Sequence, residues 1–292
     1  FNMGSMVKII PEERKIIGYC RNNHGGVPEN FHNYFIAALD KDFEITKTWN
    51  GEKLSHEKTA EGDHTGAVVG FKTKKGEQVH VKVASSFISP EQAGLNLERE
   101  IGNKSFDEIK AEGQAIWEKE LSKIKVEGGT LNQQKTFYSC LYRTLLFPRK
   151  FFEFNADGEM VHYSPYNGKV LTGYMFTDNG FWDTFRAVFP FFTVMYPDLN
   201  AQIMAGLVNT YKESGWLPKW ELYSRETHVM NGDPALVVLS DSYRRGLQDF
   251  DIETAYEGMI KSATTPGDEN FIRRDNDFYK ESHYVAFTDS FD

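Results

Sequence analysis

Val79-His80-Val81-Lys82-Val83 and, six residues on, Ser89-Pro90-Glu91 form the stretch on which the fold turns. The first five residues alternate apolar and polar with period 2, as a half-buried strand does. At Ser89 the pattern changes. A hydroxyl able to cap a helix stands directly before a proline, whose missing N–H is of no consequence at a first helical position. Leu95 and Leu97 then begin an apolar stripe. Residues before this point are expected to form strands, and most of those after it helices.

Upstream, Ala67 to Phe71 is a short apolar strand with glycine at each side, and Phe35-Ile36-Ala37-Ala38-Leu39 suits a buried one. Asn50-Gly51 is a strong hairpin turn and Lys74-Lys75-Gly76 a second turn. The expected fold of residues 1–88 is part of an antiparallel β-sandwich. Downstream, a second helix starts near Ser105, with Asp107 and Glu108 in its first turn. Phe106, Ile109, Ile116, Trp117, Leu121 and Ile124 roughly follow one face, and Gly128-Gly129 is expected to end it. Residues 89–129 therefore form a helical linker. From Thr130, helices are expected over about 131–146, 182–196, 198–213, 234–246 and 252–263, with a long loop over 148–181. Successive helical hairpins suggest an α/α toroid for 130–292. A closed toroid of about twelve helices, at roughly 25 residues per helix and loop, is twice this length. The chain is thus expected to be a multidomain α and β protein in which about half of an (α/α)6 toroid is present.

The 292 residues carry 42 acidic and 33 basic side chains, a net charge of −9, which argues against a nucleic-acid partner. No apolar run reaches the roughly 18 residues of a membrane helix. Cys20 and Cys140 match no metal or redox spacing and are expected to be buried thiols. The start, Phe1-Asn2-Met3-Gly4, lacks the basic and apolar regions of a signal peptide, and the end, Asp289-Ser290-Phe291-Asp292, closes no element. A fragment truncated at both ends is expected.

Three clusters hold chemistry. Asp178-Asn179-Gly180-Phe181-Trp182-Asp183-Thr184-Phe185-Arg186 gathers two carboxylates, a tryptophan and an arginine where loop meets helix. It suits a sugar subsite, with the indole stacked on a pyranose and Asp183 accepting from neighbouring hydroxyls. It equally suits Asp178 as a helix cap and Asp183 with Arg186 as an i,i+3 surface pair. Gly215-Trp216-Leu217-Pro218-Lys219-Trp220-Glu221 through Glu226 to Met230-Asn231-Gly232-Asp233-Pro234 sets two glutamates among aromatics. Desolvation beside rings raises a carboxyl pKa, as a general acid requires, whereas a solvated loop would leave both glutamates ordinary. Arg273-Arg274-Asp275-Asn276-Asp277 has the Asp-x-Asp of a calcium loop without its glycine or later ligands, and is taken as a surface turn. There is no G-x-S-x-G, H-E-x-x-H, Walker or G-x-G-x-x-G motif.

Several runs together resemble glycoside hydrolase family 92, collinearly from about residue 79 to 292. They are Val81–Ser89, Ala93-Gly94-Leu95-Asn96-Leu97-Glu98, Val126-Glu127-Gly128-Gly129-Thr130, Leu141-Tyr142-Arg143-Thr144, Trp182-Asp183-Thr184-Phe185-Arg186, Trp216-Leu217-Pro218-Lys219-Trp220 and Glu226-Thr227 with Met230-Asn231-Gly232-Asp233-Pro234. The resemblance implies a calcium-dependent exo-α-mannosidase that inverts the anomeric centre, acting on mannans or N-glycans, with α-1,2 linkages as first candidate. It implies a β-sandwich, a helical linker and an (α/α)6 barrel, and a secreted, periplasmic or cell-surface setting. It makes Glu226 the general acid, and Trp182, Asp183, Asp178, Arg186 and Trp220 the residues around the terminal mannose. The Ca2+ ligands are not assigned. The family's Gly-Asn-Asp-Asp base motif is absent and expected beyond Asp292, so this segment alone is expected to be inactive. A non-catalytic glycan-binding protein and another α/α-toroid glycosidase are the alternatives.

Overall fold

The computed structural model describes residues 4–21, 27–222, 225–227, 233–265 and 276–284. The chain divides into two compact units, Phe1–Lys125 with Glu153–Val170, and Val126–Phe152 with Leu171–Asp292. The expected boundaries at 88 and 129 differ from this division. The linker residues up to 125 fall with the strands, and 153–170 leave the helical part to join them.

Among the described residues, the part of the first unit before Ser89 holds eight strands: β1 (Ser5–Ile10), β2 (Lys15–Cys20), β3 (Asn33–Leu39), β4 (Ile45–Asn50), β5 (Lys53–Ser55), β6 (Thr59–Gly62), β7 (Thr65–Gly70) and β8 (Val81–Ser86). They form a five-stranded sheet, β6-β1-β2-β3-β8, and a three-stranded one, β5-β4-β7. The β1–β2, β2–β3 and β3–β8 pairings are antiparallel and place Ile9, Ile16, Ala37 and Val83 in one cross-strand file. Burial along that face is uneven. Val7 and Ile9 are 5% and 1% exposed, whereas Val81 and Val83 at the sheet edge are more than half exposed. Both expected turns are present, at Gly51 with φ 59° and Gly76 with φ 84°. In the smaller sheet Gly66 lies opposite Trp49, and the indole occupies the space that a side chain at 66 would take.

Ser89 caps α1 (Pro90–Asn96), its hydroxyl accepting from the Gln92 N–H at 3.1 Å. α1 packs on β3 and β8. Its buried Gln92 and Asn96 bond to each other, and Asn96 Nδ2 donates to Glu153 Oε2 at 2.6 Å. Glu153 also accepts from the Phe87 N–H at 2.9 Å, and the Tyr163 hydroxyl donates to Asn30 at 2.9 Å. These bonds explain why 153–170 belongs with the strands. Burial pushes the Tyr163 phenol up to about 12. The expected long loop is also not structureless: Glu153–Phe154 pairs antiparallel with Met160–Tyr163. These pieces are too short for a period-2 pattern to register. α2 (Phe106–Leu121) has the Ser105–Glu108 capping box but no buried residue, and stops at Leu121, before Gly128. Phe106 and Ile116 of its apolar stripe are 72% and 62% exposed.

The second unit carries α3 (Leu131–Thr144), α4 (Phe181–Thr184), α5 (Val188–Met195), α6 (Pro197–Ser214), α7 (Pro234–Arg244), α8 (Ile252–Thr264) and α9 (Asn276–Ser282). The single helix expected over 182–196 is two. Pro190 has no N–H and its ring would meet the Arg186 carbonyl in a continuous helix, so the chain restarts with proline in the first turn of α5. The core gathers Phe181, Phe189 and Phe192 against Ile203, Met204, Leu207 and Val208 of α6, with Val238 and Leu239 of α7 and Ala255 of α8. Each large apolar side chain so buried contributes about 1.5–3 kcal/mol. Cys20 is half-buried, but Cys140 is on the exposed side of α3, contrary to expectation. Among the described residues, no helix is long and apolar enough to cross a membrane.

Candidate functional site

The first cluster begins on a strand. Phe176–Thr177 pairs antiparallel with Arg149–Lys150, which sets Arg149 opposite Thr177 and next to Asp178. Asp178 adopts φ 63°, a left-handed conformation that aspartate tolerates better than most residues. Its carboxylate is buried at 5% exposure and pairs with the Arg149 guanidinium. This corrects the expectation that Asp178 caps a helix. The N-cap of α4 is instead Gly180, with no side-chain cap bond, and the Asp178 carboxylate is engaged by Arg149.

α4 divides its residues sharply. Phe181 is fully buried, whereas Trp182 is 47% exposed and Asp183 is exposed. Arg186 turns toward neither carboxylate. Its Nη1 donates to the Trp182 carbonyl at 2.8 Å, and its guanidinium stands 4.5 Å from the Phe185 ring centre and 5.6 Å from that of Trp182. Among the described residues, no ion pair joins Asp183 to Arg186. Gly180 matters here: a Cβ on it would lie 3.8 Å from Asp183 Oδ2 and 3.9 Å from Trp220 Cζ2. The missing side chain leaves Asp183 and Trp220 flanking one spot.

The second cluster folds back on itself. Glu221–Leu222 pairs antiparallel with Arg225–Glu226, so Glu221 stands opposite Glu226. Glu226 is half-buried, and its carboxylate accepts the Lys219 N–H at 2.7 Å and the Trp220 N–H at 3.0 Å. The Thr227 hydroxyl donates to the Trp220 carbonyl at 2.8 Å. The main chain of Trp220 is thereby held on both sides. The Trp220 Nε1 is buried with no hydrogen-bond partner among the described residues. Glu221 is not the solvated loop charge that composition favours. It is 1% exposed and accepts from Asn179 Nδ2 at 2.5 Å and from the Thr210 hydroxyl at 3.3 Å.

The structure thus brings Asp183 and Trp220 near Gly180, pairs Asp178 with Arg149 of the facing strand, and gives Arg186 and Glu226 partners within their own segments. Sequence reasoning missed Arg149, which no short-range spacing links to Asp178, and the burial of Glu221. Of the remaining motifs, His228, Met230, Asn231 and Gly232, like Arg273, Arg274 and Asp275, lie outside the described residues. Asp277, in the first turn of α9, is exposed. Among the described residues, no three His, Cys, Asp or Glu side chains converge to hold a metal ion. No calcium ligands are therefore assigned among them, and no step is routed through a metal.

Comparison with known proteins places this geometry. Residues 2–86 match the model of the glycosyl hydrolase family 92 N-terminal domain, and residues 92–292 that of the family 92 catalytic domain. The inverting family GH92 mannosidase BT2199 of Bacteroides thetaiotaomicron superposes with a TM-score of 0.93 at 42% identity, over 98% of this chain and 39% of that one. The family GH92 α-mannosidase BT3965 of the same organism gives 0.82 at 30% identity, over 98% and 38%, and its structure is also known with mannoimidazole. An uncharacterized secreted glycosidase of Arthroderma benhamiae is 27% identical over 191 residues, which are 64% of this chain and 20% of that protein. The chain spans about two fifths of the solved structures it matches. With a β-rich N-terminal part, a helical C-terminal part and both family models matched, the chain belongs to glycosyl hydrolase family 92.

Proposed function

We propose that the protein carrying this chain removes terminal α-linked mannose from mannans or N-glycans, with inversion of the anomeric centre. The observation that carries the proposal is Asp183, an exposed carboxylate beside Trp220 with the half-exposed Trp182 adjacent in sequence. A carboxylate accepts from two vicinal hydroxyls at once, and indole faces stack on the apolar side of a pyranose. The mannosidase structures that align with nearly all of this chain support mannose as the sugar.

In this proposal the reaction is a single displacement. One carboxylic acid protonates the glycosidic oxygen while a second carboxylate, about 6.5–9.5 Å away, activates water on the opposite face. Glu226 is the proton donor that the family resemblance gives, and the water-activating carboxylate is placed outside these 292 residues. A second reading of Glu226 is favoured by its two main-chain donors, Lys219 and Trp220: a brace that shapes the loop. The two sheets are proposed to be part of a β-sandwich and α3–α9 part of an (α/α)6 toroid. Calcium is proposed for the intact protein, with ligands beyond the described residues. A secreted, periplasmic or cell-surface setting accords with the secreted relative.

The test is proton NMR of the intact protein acting on an aryl α-mannoside, with the α-glucoside and β-mannoside beside it. β-Mannose as the first product from the α-mannoside supports the proposal. α-Mannose would overturn inversion, and faster cleavage of the glucoside would point to another toroid glycosidase.

A further inference from the structure

We propose that Glu221 is a positioning residue whose buried carboxylate ties the Asn179–Gly180 turn to the Trp220 strand and so sets the spacing of the sugar-binding groups. This rests on reading Asp183 and Trp220 as a sugar subsite. Glu221 joins the turn before α4, through Asn179 Nδ2 at 2.5 Å, and α6, through the Thr210 hydroxyl at 3.3 Å, to its own strand. Asn179, Thr210 and Glu221 are each 2% exposed or less, so water does not compete for these bonds. Asn179 immediately precedes Gly180, where Asp183 and Trp220 flank one spot, and Glu221 immediately follows Trp220. A shift of either partner moves one wall of that spot against the other.

The Asn–Glu pair has a polarity that can be inverted. Asn179 gives an amide N–H and Glu221 takes it, so Asn179→Asp with Glu221→Gln exchanges donor and acceptor in nearly the same volume. In that double variant the glutamine side chain keeps its carbonyl for the Thr210 hydroxyl and turns its amide to the new carboxylate. Asn179→Asp alone sets two carboxylates in contact.

Mannoimidazole affinity and kcat/KM on an aryl α-mannoside are measured for wild type, Asn179→Asp, Glu221→Gln and the double variant. Asn179→Asp is expected to weaken both by about tenfold or more, and the double variant to return within about threefold of wild type. A Glu221 that transfers a proton predicts something else: the double variant binds mannoimidazole but stays as slow as Glu221→Gln, which overturns positioning. A purely structural pair would lower the melting temperature of Asn179→Asp and leave the affinity of the folded enzyme unchanged, which also overturns it. Absence of mannoimidazole binding by wild type, or unaltered binding by Asp183→Ala, would instead sink the subsite reading on which the proposal stands.

Discussion

The ion pair between Arg149 and Asp178 predicts an asymmetry. The Asp178 side chain is 4% exposed and that of Arg149 54% exposed, so loss of either partner leaves the other in a different medium. Arg149→Met takes the guanidinium away from a buried carboxylate. A fully buried pair broken in this way costs about 3–5 kcal/mol, and with the guanidinium half in water roughly 2 kcal/mol is expected. Asp178→Asn leaves a guanidinium that water can solvate, and asparagine tolerates the φ of 63° at this position, so its cost is about 1 kcal/mol or less. Asp178→Ala adds left-handed backbone strain of about 1–2 kcal/mol. The expected order of damage places Arg149→Met well above Asp178→Asn, with Asp178→Ala above its asparagine counterpart. Thermal unfolding of the intact protein measures it, at about 2–4 °C per kcal/mol for a domain of this size. Asp178→Asn as damaging as Arg149→Met would refute the reasoning, since the carboxylate would then be doing something that its arginine does not explain.

Three further outcomes are expected. Glu226→Gln should slow poor leaving groups by about 10²–10⁴-fold and spare activated aryl mannosides if Glu226 donates a proton; equal loss on both would mark the loop brace. Gly66→Val must displace the Trp49 ring, whose atoms would lie 2.4 Å from a Cβ at 66; a loss of about 1–3 kcal/mol with a red-shifted tryptophan emission is expected, and unchanged emission would count against the packing. Asp251 caps α8, and hydrogen bonds from Lys212 and Thr254 hold its carboxyl down to about 2. A depressed folded pKa gives stability that is present above the unfolded value, about 3.9, and lost as pH falls toward 2. The side chain is 43% exposed, so solvent screening reduces the effect to about 0.5–1 kcal/mol. Asp251→Asn should therefore lower the melting temperature at pH near 6 but not near 2, and an equal deficit at both would contradict the linkage.

What was legible in the sequence was what short-range chemistry dictates. Ser89-Pro90 and Ser105 with Glu108 each start a helix where a capping hydroxyl stands before helical residues. Asn50-Gly51 turns because glycine accepts positive φ. The misses share a cause. The end of α2 at Leu121 and the two-residue strands within 148–181 depend on tertiary contacts or on pieces too short to show a period. The attachment of 153–170 to the first unit rests on Glu153 reaching Asn96 and the Phe87 N–H. Arg149 with Asp178, and Glu221 with Asn179, are 29 and 42 residues apart, and no local pattern joins them. The aromatic and acidic composition near residues 182 and 220 does not reveal which carboxylates face solvent.

The central claim is that Asp183 grips the sugar. A surface charge at this position would cost at most about 0.5 kcal/mol on removal and nothing in turnover. A carboxylate holding two mannose hydroxyls supplies charge-assisted bonds of roughly 1.5–3 kcal/mol each, and every 1.4 kcal/mol or so is a factor of ten in rate. The decisive measurement sets the thermal midpoint of Asp183→Ala in the intact protein beside its kcat/KM on an aryl α-mannoside. A fall in kcat/KM of at least tenfold, with a midpoint within about 1–2 °C of wild type, is predicted. Unchanged kinetics would contradict the account and return Asp183 to the surface of α4.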